Sequence, residues 1–385
     1  MASDARMDAV EFLVGLVCGA PADRLVEGWR RLGREGLRPA VMEEAARLRV
    51  RSALGSFCAG LPAEDLDETA EVAVTALAFG RARTEEAIAL ALDLCRSAQV
   101  ERRRAVFVKG AALVLAGLFS GEREFGDVDV VVEPEEVLEW RAAAAGVGAA
   151  WEPTLAGGYE IARVVRAGAL VELHSALPGD GGHVAGPDFG ALWSRSVPAT
   201  ASVVADLRVP RHHAAREISV HHAVFHHRGD AEYVLRALQD VARPEAGEVA
   251  EGDGLYGRED VRFSVALFRR IATEWVSGRL EDHTFRGVLL EGLLREGVDS
   301  NEERFARGVD NWIDASRREG RNPLAFALRQ AFARGTQPKP FVSRFSGLVG
   351  RYVAGRFGHG AARRRREEEM WLSFLMGRGT PPRAS

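Results

Sequence analysis

The segment GDVDVVV, residues 126–132, carries the strongest strand signal in this 385-residue chain. Its valines are β-branched, and β-branched residues favour an extended backbone. Side chains alternate between the two faces of a strand, so Asp127 and Asp129 point to one face, and Val128, Val130 and Val132 point to the other. The segment therefore predicts a buried strand that carries two carboxylates side by side.

Regular elements are predicted on both sides of this segment. AVFVKG (105–110) predicts a short buried strand that runs directly into the apolar helix AALVLAGLFS (111–120). Downstream, Pro134 opens another helix at a first-turn position that proline tolerates. Residues 151–177 are predicted to form a hairpin around the turn residues Ala167 and Gly168. Together these elements indicate a small mixed β-sheet with helices.

The pattern divides the chain into four regions. An N-terminal helical region is predicted over 1–100, where apolar residues recur at helical spacing without a strand signal, and an α/β core over 101–180. A helical segment that packs on the core is predicted over 181–250, after the loop GDGGHVAGPD, and a C-terminal helical region over 251–385. The expected fold class is α+β, a small mixed sheet flanked by helices.

Composition excludes several classes of protein. The 46% of hydrophobic and 28% of charged residues are typical of a folded chain, not of a disordered one. No apolar stretch reaches the roughly 20 residues that span a bilayer, and the first ten residues are acidic, so a cytoplasmic location without a membrane partner is expected. A net charge of -4 gives no strong nucleic-acid signal. Three cysteines without CxxC spacing are expected to be buried and reduced: Cys18, Cys58 and Cys95.

A third carboxylate accompanies the Asp-x-Asp pair. In LVELHSAL (170–177), Glu172 and His174 share one face of a second predicted strand. Carboxylates held together need a compensating cation, and hard oxygen ligands suit Mg²⁺ or Mn²⁺. With substrate phosphates, such a cluster can hold two ions about 4 Å apart, which stabilise the entering and leaving oxygens of an in-line displacement. Asp127, Asp129 and Glu172 are therefore predicted metal ligands.

Lys109 and Gly110 predict a phosphate site beside these carboxylates. The preceding strand delivers Gly110 to a helix start, where free N–H groups and the helix dipole favour an anion. Lys109 and Lys339 are the only lysines, all other basic residues being arginine, and Lys109 either contacts a phosphate or merely ends the strand. Arg123, four residues before the Asp-x-Asp pair, either binds a triphosphate or neutralises the two aspartates.

This order of elements and motifs resembles the polymerase β-like nucleotidyltransferase superfamily, and more narrowly its uncharacterised bacterial nucleotidyltransferase group. Similar flanking helices extend the resemblance over about 22–245. The chain departs from the superfamily, which usually has Gly-Gly or Gly-Ser in place of Lys-Gly, and from the group, which commonly has Asp in place of Glu172. The positions that carry the resemblance are Lys109-Gly110, Arg123, Asp127-Val128-Asp129 and Glu172-Leu173-His174.

The resemblance implies an enzyme that transfers a nucleoside monophosphate from an NTP to a hydroxyl of an unidentified acceptor, which could be a small molecule, a protein or an RNA. Glu172 and the two aspartates would be catalytic metal ligands, and Lys109, Gly110 and Arg123 would bind the nucleotide. Two alternatives stay open. One is an inactive nucleotidyltransferase-like module that senses a nucleotide or binds a protein. The other is a sugar-nucleotide glycosyltransferase, which a helical N-terminal region disfavours.

Six of the ten histidines fall within residues 212–227. On an α-helix, His222 and His226 share one face, as a pair of metal ligands does. Because the sequence signals no third ligand and contains no H-E-x-x-H motif, a helix packed over the core is the favoured interpretation. His174 is interpreted as a hydrogen-bonded residue and not as a catalyst. RRRREEE (363–369) is interpreted as a solvated helical face.

Overall fold

The computed structural model describes nine segments of the chain and the isolated positions 350 and 353. Within them the protein is α+β, with a mixed seven-stranded sheet, a small two-stranded sheet and many helices, so the predicted fold class is confirmed at this level. The described segments are residues 2–97, 103–119, 122–153, 159–179, 185–199, 207–243, 254–278, 283–294 and 361–378.

Five helices precede the sheet, as the helical spacing of the first hundred residues predicts. The longest, α5, begins after Asp67, whose side chain accepts a hydrogen bond from the Ala70 amide at 2.9 Å; such a cap stabilises a helix by about 1 kcal/mol. Helix α4 approaches α5 at Gly55, where a Cβ would lie 2.3 Å from the carbonyl oxygen of Ala73. These helices are α1 (Ala2–Cys18), α2 (Ala22–Arg34), α3 (Arg38–Arg47), α4 (Arg51–Cys58) and α5 (Glu68–Arg96).

The large sheet has the strand order β3-β4-β5-β2-β1-β9-β8, and β6 pairs with β7 in the small sheet. Strand β2 lies near the centre, antiparallel to β1 and parallel to β5. The predicted hairpin is formed by β4 and β5. The strands are β1 (Ala105–Phe107), β2 (Val128–Val132), β3 (Ala150–Pro153), β4 (Glu160–Arg166), β5 (Ala169–His174), β6 (Ala176–Pro178), β7 (Ala185–Asp188), β8 (Ser196–Pro198) and β9 (Leu207–Pro210).

Alternation along β2 places three of its valines on the face opposite Asp129. Val128, Val130 and Val132 belong to a core that also contains residues of α5 and of the helix after β2, including Leu94 and Trp140. Val131 belongs to a different core on the other face of the sheet, with Phe189 and Ile218. Because Asp129 and Val131 are two residues apart, Asp129 shares this second face.

Two strands of the large sheet fall where the sequence predicts only helix. Strand β9 pairs in parallel with β1, with Leu207 opposite Ala105, and β8 pairs antiparallel with β9. The two strands span only three and four residues, so neither gives a detectable period in the sequence. Strand β9 satisfies backbone groups of β1, which would otherwise be a sheet edge, and β8 does the same for β9.

The remaining helices pack around the sheet and onto the N-terminal helices. Trp371 of the last helix donates a hydrogen bond from Nε1 to the carbonyl oxygen of Gly229 at 2.9 Å, and Glu368 in the RRRREEE segment lies 3.0 Å from Arg228, so part of that segment is not simply solvated. The helices are α6 (Lys109–Leu115), α7 (Val137–Gly146), α8 (Phe189–Ser194), α9 (His212–His221), the π-helical turn His222–His226, α10 (Ala231–Ala242), α11 (Glu259–Ser277), α12 (His283–Leu294) and α13 (Ala361–Leu375).

The structure also bears on the predictions made for the cysteines and for membrane-spanning segments. All three cysteines are buried and none is in a disulfide, as predicted. Among the described helices, none combines the length and apolarity that crossing a membrane requires. Helices predicted between residues 295 and 360 fall, apart from positions 350 and 353, outside the described residues.

Candidate active site

A cavity of about 630 Å³ opens between the sheet, the start of α6 and the helices α9 and α10. Residues from distant parts of the chain line it, including arginines of the N-terminal helices and histidines of the π-helical turn. The structure thus brings together every residue that the sequence predicts for the site: Lys109, Gly110, Arg123, Asp127, Asp129 and Glu172.

The carboxylates lie on adjacent strands. Asp129 of β2 is directly opposite Glu172 of β5 in the parallel register, and Asp127 immediately precedes β2. Asp129 is 3% exposed, whereas Asp127 and Glu172 are half-buried. We call these three residues the carboxylate wall.

Lys109 forms an ion pair with the most deeply buried of these carboxylates. Its Nζ donates a hydrogen bond to Oδ1 of Asp129 at 2.7 Å. The Lys109 backbone has φ of +55°, in the left-handed region, which costs a non-glycine residue about 1 kcal/mol. The strained turn between β1 and α6 therefore brings an ammonium group to Asp129, a contact that neither sequence interpretation of Lys109 included.

Gly110 lies within the first turn of α6, buried against an aromatic ring. A Cβ at this position would lie 2.9 Å from Cδ1 of Phe125. The predicted helix over 111–120 is in fact the seven-residue Lys109–Leu115. Close packing on Phe125 thus gives the glycine a structural reason in addition to the predicted contact with a phosphate.

His174 is hydrogen-bonded, as its sequence interpretation states. Its Nε2 lies 3.0 Å from Oδ1 of Asp129, and Tyr159 stacks on its ring with centroids 5.8 Å apart. Its Nδ1 is buried without a hydrogen-bond partner among the described residues. Together with Asp129 and Glu172 it offers ligand atoms that all lie within 4.8 Å of one another. The set of close candidate ligands therefore contains His174 and not Asp127.

Glu172 is held by a cross-strand cation. Nε of Arg163, which is opposite Glu172 in the β4–β5 pair, lies 3.1 Å from Oε1 of Glu172. Burial, reinforced by the charges of Asp129 and Asp127, still raises the pKa of Glu172 to about 7. A carboxyl with such a pKa exchanges its proton at neutral pH, as a general base does.

The two aspartates have opposite shifts. Burial, with the nearby Asp129 charge, raises the pKa of Asp127 above its ordinary value. Burial also acts to raise the pKa of Asp129, but Lys109 and His174 outweigh it and lower that pKa well below the usual range. The carboxylate wall therefore keeps one permanently charged member and two members whose charge depends on a neighbouring cation.

Arg123 forms its ion pair with Asp240, which is not one of the three carboxylates described above. Its Nε and a terminal nitrogen donate to the two carboxylate oxygens of Asp240 on α10, at 2.7 and 3.1 Å. Ser219 of α9 donates to the same Asp240 at 2.8 Å, and both members of the ion pair are buried. Arg123 thus neutralises Asp240, and not the Asp-x-Asp pair, and ties the loop before β2 to the helices.

Other cations line the cavity that sequence reasoning missed. Arg236 of α10 has a buried Nε with no hydrogen-bond partner among the described residues. Burial, with the charge of Arg123, lowers the pKa of Arg236 to about 10, so it stays charged at neutral pH. Arg49, Arg51 and Arg83 come from α3 to α5 or the turns between them. No spacing in the sequence links these helices to the Asp-x-Asp strand.

Three histidines form a second polar group in the same cavity. His222, His226 and His227 are half-buried and offer ligand atoms within 4.8 Å of one another. The amide of His227 donates to the carbonyl oxygen of His222 at 2.9 Å, an i→i+5 bond of the π-helical turn. We call these histidines and the adjoining Tyr233 the histidine wall. Sequence reasoning missed His227, because only a π-turn brings positions i and i+5 together.

Comparisons of the chain with protein-family models, with curated proteins and with solved structures found no match in any of the three. A functional assignment therefore depends on the residues of the cavity and their geometry.

Proposed function

We propose that this chain is a divalent-metal-dependent nucleotidyltransferase that transfers a nucleoside monophosphate from an NTP to a hydroxyl of an acceptor. The observation that carries the proposal is the register of β2 and β5, which sets Asp129 directly beside Glu172, with Asp127 next to them, on the wall of a cavity. Three acidic side chains in so small a space favour a bound cation, and the sequence motifs that carry them resemble those of the polymerase β-like superfamily.

The chemistry of the donor set fits Mg²⁺ or Mn²⁺. Carboxylate oxygens are the ligands that these ions prefer, and the imidazole of His174 beside them is tolerated better by Mn²⁺. The raised pKa values of Asp127 and Glu172 show that the wall is short of positive charge. Bound ions would supply charge stabilisation to the phosphate oxygens.

The cavity also suits the phosphates of an NTP. Its volume of about 630 Å³ is within the range of small-molecule sites. Lys109 and Arg236 line it and bring positive charge to it, which attracts phosphate oxygens. Gly110 lines the same space, whereas Arg123, held by Asp240, is assigned to positioning the wall.

In the proposed reaction the acceptor hydroxyl attacks the α-phosphorus, a new P–O bond forms and pyrophosphate leaves. Glu172 is assigned to accept the hydroxyl proton as the general base. Lys109 and Arg236 balance the negative charge of the departing phosphates. Asp129 stays ionised throughout, because Lys109 and His174 hold its pKa low.

The test is the release of pyrophosphate from labelled NTPs, with Mg²⁺ or Mn²⁺ and a lysate as the source of acceptor. We expect the unmodified chain to release pyrophosphate and Asp129→Ala to lose at least about a hundredfold of the rate, a few kcal/mol of transition-state stabilisation. Asp93→Ala is the matched control, since Asp93 pairs with Arg166 at 2.8 Å and does not line the cavity. Unchanged release by a folded Asp129→Ala protein sinks the proposal.

One observation favours a second candidate, an inactive module that binds a nucleotide. The ion pairs of Lys109 with Asp129 and of Arg163 with Glu172 already place cations on two of the three carboxylates. Under this alternative the Lys109 ammonium and the Arg163 guanidinium take the place of the metal. Tight NTP binding that needs no divalent metal, without pyrophosphate release, would support the module over the enzyme.

A further inference from the structure

The histidine wall lies on a different element from the carboxylates and takes no part in the reaction proposed above. His222 and His226 belong to the π-helical turn, His227 follows it, and Tyr233 belongs to α10. Asp129 and Glu172, by contrast, belong to the sheet. The two groups share one cavity, so each can be perturbed separately.

The three imidazoles are packed around a common point. The rings of His222 and His226 are stacked, with centroids 4.9 Å apart. The ring of His227 is close to perpendicular to both, at 4.4 Å from each. Tyr233 stacks on His227 with centroids 3.5 Å apart and so fixes the orientation of that ring.

The π-helical turn is the backbone feature that creates the cluster. Its His227-to-His222 bond replaces the i→i+4 bond of an α-helix and moves residue 227 to the side of residue 222. Turns of this kind are rare and occur disproportionately at functional sites. The turn therefore adds a backbone feature typical of functional sites to the ring contacts that it creates.

Neutral imidazole nitrogens are ligands for borderline divalent cations, and three of them form a common protein site for Zn²⁺. Bonds of about 2.0 to 2.1 Å in a tetrahedral shell require nitrogens roughly 3.4 Å apart. The ligand atoms already lie within 4.8 Å of one another, so small ring rotations close the gap. We propose that His222, His226 and His227 bind a borderline transition-metal cation such as Zn²⁺, separately from the Mg²⁺ or Mn²⁺ of the carboxylate wall.

The charges around the cluster specify the fourth ligand. Lys109, Arg49 and Arg236 act on these histidines and oppose a dication. An anionic fourth ligand from the cavity, a hydroxide or a phosphate oxygen, offsets them. The site is therefore of the open kind, with three protein ligands and one exchangeable position.

The experiment measures metal binding and not nucleotidyl transfer, so it does not depend on the proposed function. The metal-depleted full chain is titrated with Zn²⁺ by calorimetry and with Co²⁺ by visible absorption, whose intensity distinguishes tetrahedral from octahedral coordination. We expect tight binding of Zn²⁺ and a tetrahedral Co²⁺ spectrum. His226→Gln and His227→Ala should each weaken Zn²⁺ binding by about a hundredfold.

Two controls separate this site from others. His212→Ala removes a half-buried histidine of α9 that does not line the cavity and should leave Zn²⁺ affinity unchanged. Asp129→Asn should also leave it unchanged, because Asp129 belongs to the carboxylate wall. Circular dichroism checks that each variant is folded. If His227→Ala does not fold, the Zn²⁺ affinity of His226→Gln decides the test.

Four outcomes would overturn the proposal. The first is an unmodified chain that binds no Zn²⁺, and the second is binding that survives in folded His226→Gln. The third is loss of pyrophosphate binding by the histidine variants in metal-free buffer with Zn²⁺ binding intact, which would assign the imidazoles to the phosphates instead. Loss of Zn²⁺ binding in Asp129→Asn would assign the metal to the carboxylates and count equally against the site.

Discussion

The carboxylate wall and the histidine wall enclose one cavity, but they hold their polar groups by different physics. On the sheet, Asp129 and Glu172 are charged groups kept in place by cations, Lys109 at 2.7 Å and Arg163 at 3.1 Å. On the helices, the imidazoles are kept in place by stacking on one another and on Tyr233. Burial, with nearby positive charge, lowers the pKa of His222 and of His227.

This difference indicates which kind of cation each wall should bind. A wall of carboxylates is selective for hard cations, which bind oxygen and neutralise charge. A wall of imidazole nitrogens carries no negative charge to attract a cation. It selects a borderline metal through the covalent character of the metal–nitrogen bond. We therefore expect each wall to lose its metal without affecting the other.

One buried ion pair joins the two walls. Arg123 precedes the carboxylate wall, and its partner Asp240 lies on α10 with Tyr233. We expect Arg123→Ala to lower the free energy of unfolding by about 3 to 5 kcal/mol, because Asp240 is left buried without a counter-ion. Urea unfolding followed by circular dichroism measures this.

The matched control for this pair is Arg163→Ala, whose arginine is 48% exposed at its side chain and pairs at the rim of the same cavity. Its loss should cost no more than about 1 kcal/mol. A folded Arg123→Ala chain of unchanged stability that binds NTP more weakly would instead restore the nucleotide-binding role predicted from the sequence.

Lys109→Met breaks the charge balance of the carboxylate wall alone. Without the ammonium group, Asp129 keeps only His174 as a partner, and we expect the free energy of unfolding to fall by about 3 kcal/mol. Saturating Mn²⁺ should restore most of this loss, since a ligand at a hundred times its dissociation constant stabilises by about 2.7 kcal/mol. Thermal unfolding with and without Mn²⁺ measures both effects.

The double variant Lys109→Met/Asp129→Asn is the control, because it removes the charge that Mn²⁺ neutralises. It should be more stable than the single variant and gain little from the metal. A Lys109→Met chain whose thermal stability does not change with Mn²⁺ would argue against a metal site on this wall. His226→Gln should not alter the stabilisation by Mn²⁺, because it lies on the histidine wall.

Glu172 should make the stability of the metal-free chain fall as the pH rises. Its pKa is about 7 in the folded chain against roughly 4.3 in an unfolded one, so between these values only the folded state holds the proton. The contribution of Glu172 to the unfolding free energy then decreases by about 2 kcal/mol from pH 4.5 to above pH 7, after allowance for solvent screening. Urea unfolding across this range measures the slope.

Glu172→Gln should remove that decline, because the amide does not titrate. His227→Ala should instead steepen it, because the His227 imidazole stays neutral in the folded chain but takes up a proton in the unfolded chain below about pH 6.5, a difference that makes stability rise with pH. An identical profile for Glu172→Gln and the unmodified chain would contradict the assignment of the raised pKa to Glu172.

The strand elements of the site were predictable because strand geometry is local. Alternation places Asp129 away from Val128 and Val130 wherever the strand lies, and the β4–β5 hairpin follows from its two turn residues. The contacts of Lys109 and Arg123 were not predictable. Each depends on which carboxylate the chain brings near, and Asp240 is more than a hundred residues from Arg123.

The sequence by itself determined the α+β class, the N-terminal helices and the single face that carries the aspartates, because periods of two and 3.6 residues need only neighbouring positions. Only the tertiary structure decided the pairing of Asp129 with Glu172, the addition of β8 and β9, and the close approach of His227 to His222. The physical reason is that strand order and buried ion pairs depend on contacts between segments distant in the chain, which leave no spacing in the sequence. The π-turn is local, but its i→i+5 bond breaks the period of 3.6 residues from which the helix is predicted.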